Sequence, residues 1–291
     1  ARGCGGRLSN KRIDSKQFEH GCFHLNLDKT AIEKHNLSFI SKYSETVSFK
    51  TLNHKSGVQI ETQFQIIKPT LNSVIKEMLA DSNFSRNTLV DRIDYDDNQF
   101  HLSSQGHNLG SFSHLFVTPP PVQSAKLLYP IERELSRSCL KRKMHSQWVA
   151  MLETTDHPNS DLIVIKDDLI DKAIMLKHFS TENASKWVVH LNINWSEQNI
   201  NLSPDRVTKI LRERLNKLTL FSPQGITFIE MHRWRYSQSV EQEVMATVGS
   251  SKMPLYLAGD WSSDGGLQGA VKSAYRAIDQ SKLLANQIKQ S

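Results

Sequence analysis

Polar and apolar residues alternate along several stretches of the chain, and this spacing predicts strands. From Val58 to Phe64 the alternation leaves one face of the strand apolar. Similar runs predict further strands at 89–95, 99–103, 112–118, 148–153, 162–166, 173–179, 187–194, 226–231 and 255–258, and residues 17–25 look extended and aromatic. The four runs between 148 and 194 indicate an antiparallel sheet. Pro119–Pro121 ends the strand before it, because proline cannot donate a ladder hydrogen bond.

Apolar residues at helical spacing predict helices between these strands. One apolar face runs from Leu71 to Leu79, and Pro69 suits the first position of that helix. Ser203-Pro204-Asp205 predicts the start of a helix that continues to about residue 217, since serine caps and proline is tolerated in the first turn. Another helix is predicted from about Gly266, and residues 27–42 indicate a further helical stretch. Strands and helices together predict a mixed α/β protein.

Length and charge narrow the classes of protein. A chain of 291 residues suits about two domains at ~150 residues each. Its 36 Lys and Arg against 30 Asp and Glu give a net charge of +6, which favours an anionic ligand. That charge is weaker than the basic surface of a dedicated nucleic-acid binder, so no nucleic-acid partner is expected. No apolar run approaches the ~20 residues of a membrane-spanning helix.

The cysteines and two histidines argue against a metal site. Cys4, Cys22 and Cys139 are odd in number and lack Cys-x-x-Cys spacing, which excludes a disulfide framework or a zinc knuckle. His20 and His24 lie four residues apart, but Gly21 interrupts the helix that such a pair of ligands would need. A reducing, cytoplasmic location and a monomer are the expectation.

The glycines are concentrated at the two ends of the chain. Nine of the 13 lie in residues 1–21 and 249–269. Because glycine allows positive φ and close backbone approach, this clustering predicts that both ends meet around one bound group, with ordinary turns as the alternative. Arg2 to Arg7 offers guanidinium groups and glycine amides for a pyrophosphate.

The C-terminal glycines follow a short strand. The run 255–258 delivers Gly259 and Asp260 to the carboxyl edge of a sheet, where open α/β sheets bind ligands. Asp260 can accept hydrogen bonds from ribose or ribityl hydroxyls, and the glycines of 265–269 let a helix N-terminus approach a ring or a phosphate. A Gly-x-Gly-x-x-Gly motif is absent from the sequence.

Taken together, these motifs resemble the flavin-containing amine oxidase superfamily, and within it the renalase-type FAD-dependent oxidoreductases. Residues 2–7, with Lys11, Arg12 and 18–21, are similar to the family's second FAD motif. Ala258–Trp261 and Gln268-Gly269-Ala270 are similar to its closing motif. Further segments resemble the strand before a Thr-Pro turn and motifs of the inserted domain; they are 112–119, 187–195 and 232–237.

The resemblance implies a two-domain FAD/NAD(P)-binding, glutathione-reductase-like fold with an inserted, mostly antiparallel β substrate domain. It implies an FAD-binding domain formed by 1–30, 55–125 and 240–291, and a substrate domain formed by 31–54 and 126–239. The FAD-binding residues that it implies are Arg2, Gly5, Gly6, Arg7, His20, Gly21, Val90, Gly259, Asp260, Leu267, Gln268, Gly269 and Ala270.

His232 and Trp234 are the residues that the resemblance places on the substrate side of the flavin. They alternate with Arg233 along one predicted strand, so they share a face that Arg233 does not. His232 would orient the substrate and Trp234 would form a wall of the pocket. A histidine on a strand is equally typical of a satisfied core or interface residue.

The activity that the resemblance implies is a flavin-dependent oxidase. Hydride would pass from a dihydronicotinamide-type substrate to FAD, and oxygen would then reoxidise the flavin to give hydrogen peroxide. A flavin-dependent amine oxidase is the alternative, although its aromatic cage would need a second aromatic residue that the sequence does not assign. A flavin-less binding or scaffold protein is the alternative of another class.

The sequence departs from the family in three places. The family begins with a glycine-rich β-α-β unit that would precede Ala1, so an N-terminal truncation is expected. Gln268 stands where glutamate is usual. Cys22-Phe23-His24 stands where the family often has Gln-Tyr-Phe, which changes the shape and polarity expected beside the flavin.

Overall fold

The architecture comes from a computed structural model, which describes residues 4–25, 27, 29–34, 37–240 and 243–288. The strands are β1 Lys11–Ile13, β2 Lys16–Phe18, β3 Ser44–Asn53, β4 Gln59–Ile67, β5 Arg92–Asp96, β6 Gln99–Ser104, β7 His107–Phe112, β8 Leu115–Val117, β9 Met144–Thr154, β10 Leu162–Val164, β11 Ile170–Met175, β12 Ser185–Leu191, β13 Ile226–Ser239 and β14 Leu255–Leu257. The α-helices are α1 Lys29–Lys34, α2 Leu71–Met78, α3 Pro121–Leu128, α4 Arg133–Leu140, α5 Ile193–Gln198, α6 Pro204–Leu218 and α7 Gly266–Ile288. Short 3₁₀ turns occur at Gly6–Leu8, Ser38–Tyr43, Lys177–Phe179 and Asp260–Ser262.

Most predicted elements are confirmed, with shifted boundaries. The helix predicted over 27–42 is instead α1 followed by a 3₁₀ turn. Helix α2 begins after Thr70 rather than at Pro69, because the Thr70 hydroxyl accepts the backbone N–H of Ser73 and so caps the first turn. Strand β13 is longer than predicted, and β3 was not predicted because Phe49 is its only fully buried side chain.

A seven-stranded sheet organises the larger part of the chain. Its order is β13-β9-β12-β11-β10-β3-β4, and neighbouring strands are antiparallel except for the parallel pair β10 and β3. This confirms the antiparallel sheet predicted from the run between 148 and 194. One face carries Trp148, Ala150 and Leu152 and packs against α6. The other face carries Val149 and Met151 and packs against Phe18 of β2.

A second hydrophobic cluster surrounds two smaller sheets. Strand β14 pairs in parallel with β8, and β5, β6 and β7 form an antiparallel sheet. Leu255 and Leu257 of β14 pack with Trp261 and with residues of α3 and α4. All three residues of β14 are buried, and the chain continues from its end to Asp260, which lies beside Trp261 of the second cluster and accepts a hydrogen bond from Ser239 of the large sheet.

Sheet membership does not follow the domain boundaries that the family resemblance implied. Strand β4 lies in 55–125 but pairs along its length with β3, so a boundary at residue 55 would separate neighbours in one sheet. The implied boundary at residue 125 falls within α3 and before α4, yet both helices pack in the second cluster beside β14. Hydrogen bonding and apolar packing therefore group 44–67 with the large sheet and 121–140 with the second cluster. In the part of the chain that the structure describes, no helix is both long and apolar enough to cross a membrane.

Candidate active site

The two ends of the chain meet in an ion pair between Arg7 and Asp260. A guanidinium nitrogen of Arg7 lies 2.6 Å from Oδ1 of Asp260, whose side chain is only 4% exposed. Arg7 also donates to the backbone carbonyl of Ser237 on β13. Arg7 thus joins the N-terminal segment, the large sheet and the segment after β14 at one point.

The sequence predicted that the Asp260 carboxylate accepts hydrogen bonds from ligand hydroxyls, but in the structure its oxygens already accept hydrogen bonds from protein groups. Oδ1 accepts from Arg7, while Oδ2 accepts from the hydroxyl of Ser239 at 3.1 Å and from the backbone N–H of Gly266 at 3.2 Å. A carboxylate has about four acceptor positions, so roughly one is left for a ligand hydroxyl. The carboxylate lies at the amino end of α7, where the helix dipole favours negative charge.

Glycine permits one close approach and two open surfaces here. A Cβ at Gly21 would lie 2.2 Å from the carbonyl oxygen of Arg7, and the N–H of Cys22 donates to that same oxygen at 3.0 Å. Gly6 and Gly266 have φ of +52° and +61°, and a Cβ at either would meet no atom within 4 Å. The backbone on both sides of the Arg7–Asp260 pair therefore borders open space that a ligand can approach.

Three rings form a compact cluster on the adjoining face of the large sheet. The His20 ring stacks on Trp234 at 4.9 Å between centroids and meets His232 edge-on at 4.4 Å. The indole N–H of Trp234 donates to the backbone carbonyl of His20 at 3.1 Å. Nδ1 of His20 is buried and has no hydrogen-bond partner in the described part of the chain.

The register of β13 explains how His232 and Trp234 reach this cluster. Both side chains lie on the face that packs against Phe18, whereas Arg233 lies over the ring of Trp148 on the opposite face. The guanidinium of Arg233 donates to the carbonyl of Ile200 at 2.9 Å. The predicted alternation of these three residues is confirmed.

The histidines of the cluster are neutral at physiological pH. Burial, together with the nearby His232 and Lys11, lowers the pKa of His20 to about 3. Burial also lowers the pKa of His232 to about 4, with Lys11 acting in the same direction and Glu230 opposing it. A neutral imidazole can donate from one nitrogen and accept at the other, so the cluster can orient a polar group without adding charge.

The other predicted residues of the C-terminal motif lie around the start of α7. The N–H of Gly259 donates to the hydroxyl of Ser273 at 2.9 Å, and that hydroxyl donates to the carbonyl of Ala270 at 2.8 Å. A Cβ at Gly269 would lie 3.2 Å from backbone atoms of Asp264, so glycine lets α7 pack closely against the preceding loop. Gln268 lies in the first turn of α7, partly buried.

The remaining predicted residues are distributed differently. Gly5 packs against the amide of Asn72 near α2, and Leu267 borders an apolar cavity of about 100 Å³ that also touches Leu8. Val90 packs at the margin of the second cluster. Arg2 lies outside the described residues.

Several residues of the site were not found by sequence reasoning. Ser237 and Ser239 bind Arg7 and Asp260 from the end of β13, beyond the predicted end of that strand. Lys172 and His190 lie on neighbouring strands of the large sheet, in register with the row that holds His232. Their alternation within each strand was visible in the sequence, but the order of the strands was not. The described residues include no group of three or more His, Cys, Asp or Glu that could hold a metal ion.

Comparisons with known proteins identify the fold. No protein-family model matches the chain. A putative protoporphyrinogen oxidase from Exiguobacterium sp. 255-15 is similar over 76% of this chain and 52% of its own, with a TM-score of 0.59 and 15% identity. Cyclohexylamine oxidase from Brevibacterium oxydans IH-35A is similar over 80% of this chain and 57% of its own, with a TM-score of 0.58 and 13% identity. The chain thus spans little more than half the length of these two proteins.

A third solved structure matches over more of its length. Wild-type putrescine oxidase bound to putrescine has a TM-score of 0.65 at 10% identity, with 96% of this chain and 91% of that chain covered. At such low identities the likeness concerns the fold alone. The chain therefore has a mixed α/β fold similar to that of these oxidases.

Proposed function

We propose that this chain is the FAD-binding oxidoreductase part of an oxidase. In this proposal a dihydronicotinamide-type substrate gives up a hydride to FAD, and oxygen is then reduced to hydrogen peroxide. The observation that carries the proposal is the joining of both glycine-rich ends at the Arg7–Asp260 pair, beside the ring cluster of His20, His232 and Trp234. The fold shared with solved oxidases supports it.

The residues present suit a flavin dinucleotide. Gly6 and Gly266 border open space on either side of the ion pair, where backbone amides and the amino end of α7 suit phosphate and ring oxygens. Asp260 keeps about one acceptor position for a hydroxyl. Nδ1 of His20 is a buried polar atom without a protein partner, and a ligand atom would satisfy it.

The site residues have separate tasks in this proposal. Arg7, Gly6, Gly259, Asp260 and the first turn of α7 would hold the cofactor, which supplies the hydride acceptor when bound. Trp234 and His20 offer flat surfaces to a planar substrate and exclude water from it. His232, being neutral, donates or accepts a hydrogen bond that orients the substrate for transfer. Hydride transfer of this kind needs no acid or base from the protein.

The family resemblance implies that residues 31–54 and 126–239 form the substrate domain. As part of the proposal, we divide the chain between substrate and cofactor binding by its contacts instead. The large sheet, including β4, presents the ring cluster and would bind the substrate. The N-terminal segment and the second cluster with α7 would bind FAD.

Amine oxidation is the second candidate. Its support is that two of the solved structures sharing this fold are a cyclohexylamine oxidase and a putrescine oxidase. The stacked pair of His20 and Trp234 also gives the second ring that the sequence did not assign.

Anaerobic reduction of the flavin tests the proposal and separates the two candidates. The chain is saturated with FAD, freed of oxygen and mixed with the 2- and 6-dihydro isomers of nicotinamide mononucleotide or with cyclohexylamine and benzylamine. We expect the dihydronicotinamides to bleach the flavin absorbance faster than the amines. Faster bleaching by amines would replace the proposal with amine oxidation, and an absence of FAD binding would refute both.

A further inference from the structure

We infer that the substrate of this site carries an oxoanion group, a carboxylate or a phosphate, and that Lys172 binds it beside His190. The inference rests on the proposed function, in which the ring cluster binds the substrate. It goes further by stating that this substrate is negatively charged. It depends on the register of four neighbouring strands and on the pairing of the charges around them.

Strand register places Lys172 in one row with the ring cluster. Lys172 of β11 pairs with His190 of β12, His190 pairs with Val149 of β9, and Val149 pairs with His232 of β13. Side chains at directly paired positions lie on the same face of a sheet. Lys172, His190 and His232 therefore share the face that carries Trp234, and three strand spacings give a row about 14 Å long.

This row marks the polar end of an otherwise apolar face. At the next positions on this face of β9, β12 and β11 lie Met151, Val188 and Ile174, all buried against Phe18. The polar side chains thus begin where the apolar packing ends, toward the Arg7–Asp260 pair. A planar substrate ring at Trp234, two residues beyond His232 on β13, and an oxoanion at Lys172 would lie at opposite sides of this polar region.

Lys172 is a cation without an acidic partner. Three other lysines on or near this face are neutralised, since Lys11 pairs with Glu230, Lys16 with Glu153 and Lys177 with Asp161, whereas the ammonium of Lys186 lies over the ring of Phe18. Lys172 makes no ion pair with any residue that the structure describes. The buried Glu19 is already engaged by the backbone N–H of Leu71 and by the ring of His178.

The polar groups around Lys172 are uncharged donors and acceptors. Burial, together with Lys172 and His20, lowers the pKa of His190 to about 3. Burial lowers the pKa of His24 to about 4, again with Lys172 acting in the same direction. Nδ1 of His24 is buried and has no partner among the described residues.

A single ammonium group among neutral imidazoles favours an anion over a cation. An oxoanion gains a charge-assisted hydrogen bond from Lys172 and N–H bonds from the histidines. A protonated amine would meet the Lys172 charge with no carboxylate free to offset it. The site therefore selects an anionic ring compound over an alkylammonium ion.

Binding of matched ring compounds tests the inference without any turnover. Calorimetric titrations of the full chain, with and without FAD, compare benzoate, phenyl phosphate, neutral benzamide and benzylammonium. We expect benzoate or phenyl phosphate to bind about tenfold more tightly than benzamide, since a hydrogen bond to a charged group contributes on that scale. The stronger of the two anions identifies the group as carboxylate or phosphate.

Two lysine variants assign the effect to its residue. Lys172→Met should abolish the advantage of the anion, whereas Lys186→Met should keep it. Lys186 lies on the same face of β12, four residues from His190, with its ammonium over the ring of Phe18. If Lys172→Met does not fold by circular dichroism, Lys172→Arg takes its place and should retain the preference for the anion over benzamide.

The outcomes also separate this inference from the proposed function. The inference would be overturned if anion and benzamide bind equally or if benzylammonium binds more tightly. It would also be overturned if the advantage of the anion survives Lys172→Met or is lost in Lys172→Arg. Each of these results would count even if FAD binds and is reduced. Lys172-dependent binding of the anion in a chain that does not bind FAD would support the anion site and refute the flavin proposal.

Discussion

Gly21 lies against Arg7 so closely that a Cβ at position 21 would be 2.2 Å from the Arg7 carbonyl oxygen. This contact fixes the segment after β2, which carries His20, against the 3₁₀ turn that carries Arg7. The ring cluster and the ion pair are thereby held together by a backbone contact that no other residue type allows.

Replacing this glycine should disturb the site. Gly21→Ala should lower the affinity for FAD by at least about tenfold and destabilise the chain by roughly 1–3 kcal/mol, because the added methyl group overlaps backbone rather than a movable side chain. Fluorescence titration of FAD and urea unfolding measure the two effects. Gly57→Ala is the control, since it has a φ of +71° but open space around it. Equal FAD affinity in both variants would contradict the role of Gly21.

Removing the Asp260 carboxylate should weaken FAD binding and leave Arg7 without its partner. Asp260→Ala removes charge-assisted hydrogen bonds worth about 1.5–3 kcal/mol, which corresponds to roughly tenfold to a hundredfold in affinity. Asp264→Ala is the matched control because Asp264 is more exposed and pairs with Lys272. A titration in which both variants bind FAD as the unaltered chain does would show that Asp260 only stabilises the fold.

Acid should destabilise the chain through His20. Its pKa falls from 6.5 in the unfolded chain to about 3 in the folded one, so between these values the unfolded state binds more protons and stability is lost as the pH falls. From pH 6.5 to pH 5 this amounts to about 2 kcal/mol.

A histidine variant checks this pH dependence. In His20→Gln the loss of unfolding free energy between pH 7 and pH 5, measured in urea, should be smaller by about that amount. His107→Gln, on the exposed β7 hairpin, should leave the loss unchanged. The same loss in all three proteins would mean that His20 can accept a proton without unfolding.

His232→Ala should slow flavin reduction by dihydronicotinamides. Loss of an orienting hydrogen bond can cost about tenfold to a hundredfold when reacting atoms must lie ~3–3.5 Å apart. Stopped-flow absorbance measures the rate, and Arg235→Ala on the same strand, with an exposed side chain, is the comparison. A rate unchanged by His232→Ala would place His232 among the packing residues of the sheet.

The sequence predicted the parts of the site but not how they pair. Glycine clustering at both ends indicated that these ends meet, and the Arg7–Asp260 contact has that form. Each of those residues was expected to face a ligand, whereas much of their hydrogen-bonding capacity is used by each other and by Ser239. These contacts join residues that are far apart in sequence, so no local sequence pattern predicts them.

The row of Lys172, His190 and His232 shows the same limit more clearly. Alternation assigns a side chain to one of two faces of its own strand. Whether two such faces coincide depends on strand order and register, which are set by the apolar pattern of the whole sheet and by its turns. Here β13 pairs with β9 and not with its neighbour in sequence, β12.

The bond between Arg7 and Ser237 joins residues 230 positions apart, which bears on how this protein is synthesised. Such contacts are slow to form because a long loop must close first. On the ribosome, the hairpin of β3 and β4 and the pairing of β9 with β12 can form while Ser237 and Asp260 are still untranslated. Arg7 can form its contacts only after Ser237 and Asp260 have been synthesised, so the site forms last. Ligand binding by a nascent chain would therefore show that translation has passed Asp260.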